Sequence, residues 1–217
     1  MDGRHDTLLF DLDGTLLDTL GDLHASVNHA LVACGYPARS LDEVRRFVGN
    51  GVRRLMLRAV PEGTGDEAFD EVFQAFRTHY MAHCLDTTAP YDGIPTVLAE
   101  LHRRGYRLGI VSNKLQPAVT ELHRHFFADT VAVAIGESAG VRRKPAPDTL
   151  LVAMERLGAT AADTVYVGDS DVDILTARAA GVPCLSVLWG FRSREELLRA
   201  GATGLVTVPE ELSDMFP

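Results

Sequence analysis

The order of apolar and polar residues divides the chain into two kinds of segment. Thr7-Leu8-Leu9-Phe10 is a short apolar run that stops abruptly at acid, the pattern of a buried strand. After it, Leu20, Leu23, Val27, Leu31 and Cys34 recur at helical spacing until Gly35 stops them. Ser40-Leu41-Asp42-Glu43 has a helix-opening pattern, with Ser at the cap and Glu three residues on. Residues 52–60 read as a helix with Leu55, Met56 and Ala59 on one side. Residues 67–83 read as a longer one, with Phe69, Val72, Phe73, Phe76 and Tyr80 at steps of three and four. The segment 18–86 is therefore all helical.

From about residue 94 short apolar runs alternate with helices. Strands are expected at 108–111, 131–135, 164–167 and 184–187, and helices at 96–104, 117–127, 147–157, 171–180 and 194–200. Strands rich in Val and Ile on both faces, separated by helices, predict a parallel sheet covered on both sides. The first strand belongs to that sheet. The expected fold is α/β, a Rossmann-like parallel core formed by residues 1–17 and 87–217, with an all-α unit, 18–86, inserted after strand one. Ligands of such sheets bind beyond the carboxyl ends of the strands. Asp11 and Asp13, Ser112-Asn113, Lys144 and Gly168-Asp169 all fall there.

Composition narrows the classes. With 30 acidic and 21 basic residues among 217 and a net charge of −9, the chain lacks the positive excess of a nucleic-acid or anionic-membrane binder. No apolar run approaches a membrane span, and Met1-Asp2-Gly3-Arg4-His5-Asp6 does not read as a signal peptide. Cys34, Cys84 and Cys184 are widely spaced, which fits a reducing compartment, with the cytoplasm as the expected location. The sequence does not define an oligomeric state. Only two of the 21 basic residues are lysine, Lys114 and Lys144.

The strand-end residues have a shared chemistry. Asp11 and Asp13, two apart, can face one side, and two close carboxylates need a cation or a shared proton. Asp169 completes a hard oxygen site suited to Mg²⁺. Gly14, with Thr15 beside it, lets the backbone turn and offer amide hydrogens to an anion. Lys144 supplies a point charge for phosphate, and Ser112 and Asn113 supply neutral donors. Together these suggest phosphoryl transfer to a carboxylate nucleophile, with a second carboxyl as general acid and base.

These residues resemble the four motifs of the haloacid dehalogenase superfamily of phosphatases: Asp11-Leu12-Asp13-Gly14-Thr15, then Ser112, then Lys144, then Gly168-Asp169-Ser170 with Asp173. Val48-Gly49-Asn50-Gly51-Val52, Leu188-Trp189-Gly190-Phe191, Ser193-Arg194-Glu195-Glu196-Leu197, Ala200-Gly201-Ala202 and Pro209-Glu210-Glu211-Leu212 are similar to phosphoglycolate phosphatases. The resemblance implies that Asp11 is the nucleophile and a Mg²⁺ ligand. It implies that Asp13 is the general acid and base, its carbonyl on the metal, and that Asp169 is the remaining protein ligand. Ser112 and Lys144 would hold the phosphoryl group with Asn113 nearby, and Asp173 would orient Lys144 or a metal-bound water. The family often has Asn where Val172 stands, so no direct metal role is carried over to Asp171 or Asp173. The helical insert resembles the family's small cap, which closes over the site and excludes water.

Several rivals lose ground on single residues. Asp13 argues against a dehalogenase, which lacks that acid. The absence of lysine from 18–86 argues against Schiff-base phosphonate cleavage and sugar-phosphate mutation. Other phosphatases, for pyrophosphate or for sugar or nucleotide monophosphates, stay open. A phospho-accepting receiver domain would carry no insertion after strand one, and an inactive binding module would not need the full acid set. The expected partner is a small phosphorylated metabolite, with 2-phosphoglycolate leading. Its carboxylate needs a cation or amide, for which Arg45, Arg46, Arg53 and Arg54 around the Asn50-Gly51 turn are candidates. His79 and His83, four apart on a helix, have a zinc-like spacing without a third ligand.

Overall fold

Leu8 and Phe10 point to one side of a strand and Leu9 to the other, and each is fully buried in a different apolar cluster. That period of two makes β1 (Thr7–Phe10) the sandwiched centre of a sheet. The computed structural model describes residues 5–217; Met1 to Arg4, the start of the segment assigned to the core, lie outside the described residues.

A short strand β2 (Leu17–Asp18) leads into four helices: α1 (Leu20–Ala33), α2 (Leu41–Phe47), α3 (Val52–Ala59) and α4 (Asp66–His83). Strand β3 (Ala89–Pro90) then pairs antiparallel with β2, so the insert leaves and re-enters the core side by side. Asp22 of α1 fastens this junction. Its carboxylate accepts from the backbone amides of Thr87 (2.9 Å) and Thr88 (2.9 Å) and from both hydroxyls. The helices bury their own cluster around Val27, Leu31, Met56, Val72 and Phe76. The Ser40–Glu43 capping box predicted at the start of α2 is present.

The core continues with α5 (Ile94–Arg103), β4 (Arg107–Leu115), α6 (Gln116–Phe126), β5 (Val133–Glu137), α7 (Asp148–Leu157), β6 (Thr164–Gly168), α8 (Asp171–Ala180), β7 (Cys184–Val187), α9 (Arg194–Arg199), β8 (Gly204–Val206) and α10 (Glu210–Met215). The six-stranded sheet runs β5-β4-β1-β6-β7-β8, and its pairs are parallel. Side chains of α5, α6 and α10 pack on the face of Leu8 and Phe10; those of α7 and α8 pack on the face of Leu9. The α/β expectation therefore holds.

Several local readings change: the two-residue strands β2 and β3 at the junction were not expected, and the strand expected at 131–135 lies at 133–137. Strand β8 was not expected; it pairs only three residues, Gly204–Val206, at the start of the run Leu205-Val206-Thr207-Val208. The strand expected at 108–111 continues to Leu115, so Ser112, Asn113 and Lys114 are strand residues rather than a turn. Strand β1 ends opposite Ile110, and past it β4 keeps only β5 as a neighbour, with a register shift between Val111 and Leu115. The polar residues of this extension are buried because the helical insert covers them, so their polarity marks a site and not an exposed loop.

Candidate active site

Four strand ends deliver the functional side chains to one cavity between the sheet and the helical insert. Its lining includes Asp11 and Asp13 after β1, Ser112, Asn113 and Lys114 on β4, Lys144 after β5, and Asp169 after β6. From the insert come Leu23, Val48, Gly49, Gly51, Val52 and Leu55, and from the loop after β7 come Phe191 and Arg192.

Lys144 is the hub. Its Nζ lies 2.9 Å from Asp11 Oδ1, 2.7 Å from Asp173 Oδ1 and 2.9 Å from the Tyr166 hydroxyl. Burial alone would lower the lysine's pKa, but the Asp11 and Asp173 carboxylates outweigh it and hold the ammonium charged. Asp173 reaches this position through local structure. It sits in the first turn of α8, and its Oδ2 accepts from the Ser170 amide (3.1 Å) and hydroxyl (2.6 Å). Its Oδ1 takes the lysine and the tyrosine. Burial would raise this carboxyl, but Lys144 and these hydrogen bonds pull it below the ordinary carboxylate range.

The other two acids remain underpartnered. Asp11 Oδ1 accepts from the Leu12 amide at 2.8 Å and faces Lys144, while Oδ2 has no donor among the described residues. Burial raises the pKa of Asp11 well above its ordinary value, Lys144 works against that, and Asp173 and Asp169 add to it. Asp169 Oδ2 accepts from the Phe191 amide at 2.7 Å, and its Oδ1 has no donor among the described residues. Burial, then repulsion from Asp173, pushes Asp169 up to about 7. Oxygens of Asp11, Asp169 and Asp173 lie within 4.8 Å of one another. Three buried carboxylates against one ammonium leave two negative charges, which a divalent cation would balance.

Asp13 is held differently. Its Oδ1 accepts from the Thr19 hydroxyl at 2.6 Å and lies 2.9 Å from Lys114 Nζ. Lys114 is buried and also donates to the Tyr80 hydroxyl of α4 at 2.6 Å. Burial would lower this lysine's pKa too, but Asp13 and Tyr80 raise it above the ordinary value.

The remaining sequence candidates divide. Ser112 lines the cavity. The Asn113 side chain is spent on bracing: it donates to the Lys144 carbonyl (3.0 Å) and the Gly49 carbonyl (3.2 Å) and accepts from the Lys144 amide (2.8 Å). Gly14 has φ +84° and packs against Asp169 so closely that a Cβ would overlap its carboxylate. Thr15 is buried and does not line the cavity; its carbonyl accepts from Trp189 Nε1 at 2.9 Å, while its hydroxyl has no partner among the described residues. Gly51 faces the cavity, whereas Asn50 lies in an outer cleft with Arg54, Arg142 and Arg143. Asp171 is exposed, 3.8 Å from Arg192 Nε.

None of the four insert arginines lines the cavity. Arg53 lies over the Phe69 ring at 4.8 Å and pairs with Asp70, and Arg45 and Arg46 line a separate outer cleft. They sit on outward helix faces, where a long cationic side chain keeps its charge in water. The cavity arginine is Arg192, which donates to the Val48 (2.6 Å) and Arg45 (3.2 Å) carbonyls at the C-terminal end of α2. Those carbonyls lack helical partners, so the contact ties the insert to the core. His79 and His83 do gain a neighbour, His29, but the three rings stack at 4.0 and 4.2 Å instead of converging on a point. Lys114, Tyr80, Tyr166 and Arg192 were not identified as site residues from sequence. Only Lys114 carried a signal, as one of two lysines and two residues from Ser112.

A parallel α/β sheet with strand-end carboxylates and a buried lysine, roofed by a helical insert, defines an anion-handling enzyme class. The chain belongs to the haloacid dehalogenase-like hydrolases, whose family pattern it matches over residues 8–187. It is 39% identical over 215 residues to a phosphoglycolate phosphatase of Xylella fastidiosa (strain Temecula1), covering 97% of this chain and 93% of that one. It is 33% identical to an N-acetylmuramic acid 6-phosphate phosphatase of Pseudomonas aeruginosa, covering 98% and 95%. A solved structure from Lactobacillus delbrueckii subsp. bulgaricus, provisionally named phosphoglycolate phosphatase, superposes with a TM-score of 0.93 at 32% identity over 98% of both chains.

Proposed function

We propose that this protein is a Mg²⁺-dependent phosphomonoester hydrolase that works through an aspartyl-phosphate on Asp11, with 2-phosphoglycolate as its substrate. The observation that carries the reading is Asp11 itself: one oxygen is anchored by Lys144 and the Leu12 amide, and the other is free to attack.

Substrate phosphate enters beside Lys144 and Ser112, which neutralise and orient it. Asp11 Oδ2 attacks phosphorus while the ester oxygen leaves, and Asp13 supplies its proton. Asp13 then takes a proton from water, which attacks the aspartyl-phosphate and frees phosphate and Asp11. Mg²⁺ fits the two uncompensated negative charges; Asp11, Asp169 and the Asp13 carbonyl would hold it. When bound it would offset the charge that builds on the transferring group. Asp173 already spends both oxygens on Lys144, Tyr166 and Ser170, so it supports Lys144 and is no metal ligand. The helices within 18–86 act as a cap that excludes water from the intermediate.

Relatives at 34–39% identity named phosphoglycolate phosphatase support the substrate. Arg192, the arginine that lines the cavity, is the proposed partner for its carboxylate. The relative named for N-acetylmuramic acid 6-phosphate favours a second reading, a sugar-phosphate substrate. No helix among the described residues is long and apolar enough to cross a membrane; the three unbridged cysteines support a cytoplasmic location. A kcat/KM panel with Mg²⁺ tests the substrate: 2-phosphoglycolate should rank among the best, and a low rank removes that name. Asp11→Asn should abolish turnover and fluoroberyllate binding; undiminished binding would show the nucleophile misassigned.

A further inference from the structure

Lys114 lines the cavity, but its ammonium is engaged by Asp13 and Tyr80. It is buried and offers its three hydrogens to few partners. One is Asp13 Oδ1, and another is the phenol of Tyr80, itself buried in α4 of the helical insert. Its Nζ also lies 4.6 Å from the centroid of the Tyr80 ring. Thr19 donates to the same Asp13 oxygen. Both donors therefore converge on Oδ1, and Oδ2 is left without a donor among the described residues.

We infer that Lys114, seated by Tyr80, is a positioning residue that fixes the Asp13 carboxyl so that Oδ2 carries the proton to the leaving oxygen. The inference rests on the phosphatase reading above. With Oδ1 occupied, a proton on Asp13 resides on Oδ2; as the P–O bond breaks, that proton moves to the departing oxygen and its bonding electrons return to Oδ2. A carboxyl free to rotate would present either oxygen, and misplacement of a catalytic group by an ångström costs on the order of 100-fold. Because Tyr80 stands on the insert and Lys114 on the sheet, the placement of the acid depends on the insert being docked.

Leaving-group chemistry separates this role from a structural one. An alkyl phosphate needs a proton on its alkoxide, whereas acetyl phosphate and p-nitrophenyl phosphate expel anions that leave unprotonated. The best alkyl phosphate from the substrate panel is compared with these two by kcat/KM, which reports steps through phosphoryl transfer. Lys114→Met should lower the alkyl-to-activated ratio by about 30-fold, within the usual reach of general-acid catalysis. Tyr80→Phe keeps the lysine and the ring, and should lower the same ratio by about threefold, the scale of one lost hydrogen bond. A ratio unchanged within about twofold in Lys114→Met, with all substrates falling together, overturns the inference. If Lys114→Met does not fold, an unchanged ratio in Tyr80→Phe overturns it instead. Asp11→Asn is assayed in parallel: turnover persisting there overturns the underlying phosphatase reading, while an inert Asp11→Asn beside an unchanged ratio rejects the positioning role alone.

Discussion

Lowering the pH should weaken Mg²⁺ binding as the raised carboxyls of Asp11 and Asp169 take up protons, with Asp169 alone setting the minimum effect. Burial and Asp173 raise its carboxyl to about 7, so protons and metal compete for it near neutrality. Near pH 8 the group is mostly ionised; at about pH 5.5 only about 3% is, so apparent affinity falls about 30-fold. At a fixed Mg²⁺ concentration well above Kd, that loss removes about 2 kcal/mol of ligand-induced stabilisation. For a chain of this size this corresponds to a gain in Tm smaller by about 4–8 °C at the lower pH. The metal-free protein should respond in the opposite sense. A carboxyl raised in the folded state contributes stability fully present below its unfolded pKa, near 4, and lost as pH rises toward 7. Alkaline metal-free protein is therefore the form that Mg²⁺ rescues most. The assay is thermal melting across a Mg²⁺ titration at both pH values, with Asp169→Asn alongside. Equal gains at the two pH values, or a full gain in Asp169→Asn, would refute the assignment of Asp169.

Two further substitutions probe how the backbone builds the site. Gly190→Ala places a Cβ on Asp169 and against the Gly14 carbonyl at an ordinary backbone conformation, so the cost is spatial. It should destabilise by about 1–3 kcal/mol and reduce the Mg²⁺ gain in Tm, whereas Gly65→Ala, with open space around it, should change Tm little. Asn113→Ala strips partners from the Lys144 amide and from the Lys144 and Gly49 carbonyls; it should cost about 1–3 kcal/mol by urea denaturation and lower kcat as Lys144 loosens.

Most of the architecture was legible in the chain because burial leaves a periodic record. Leu8, Leu9 and Phe10 are apolar on successive positions because β1 is covered on both faces, and Phe69, Val72, Phe76 and Tyr80 recur as α4 turns. The strand-end acids were legible for a related reason, since each interrupts such a pattern where its strand stops; Lys144, in the loop after β5, was legible as one of only two lysines. Strand β8 pairs only three residues on the sheet edge, and the reach of β4 past Ile110 was hidden because it depends on where its neighbour β1 ends.

By itself, the sequence determined which chemistry was available: carboxylates at Asp11, Asp13 and Asp169, and two lysines in a chain otherwise cationic through arginine. Tertiary structure alone decided how that chemistry was apportioned. Lys144 faces Asp11 and Asp173, whereas Lys114, thirty residues earlier on another element, faces Asp13 and Tyr80. Arg192 enters the cavity and the four insert arginines stay outside it. The physical reason is that an ion pair or hydrogen bond is set by distances between elements far apart in sequence. No local spacing records those distances; the packing of the insert on the sheet creates them.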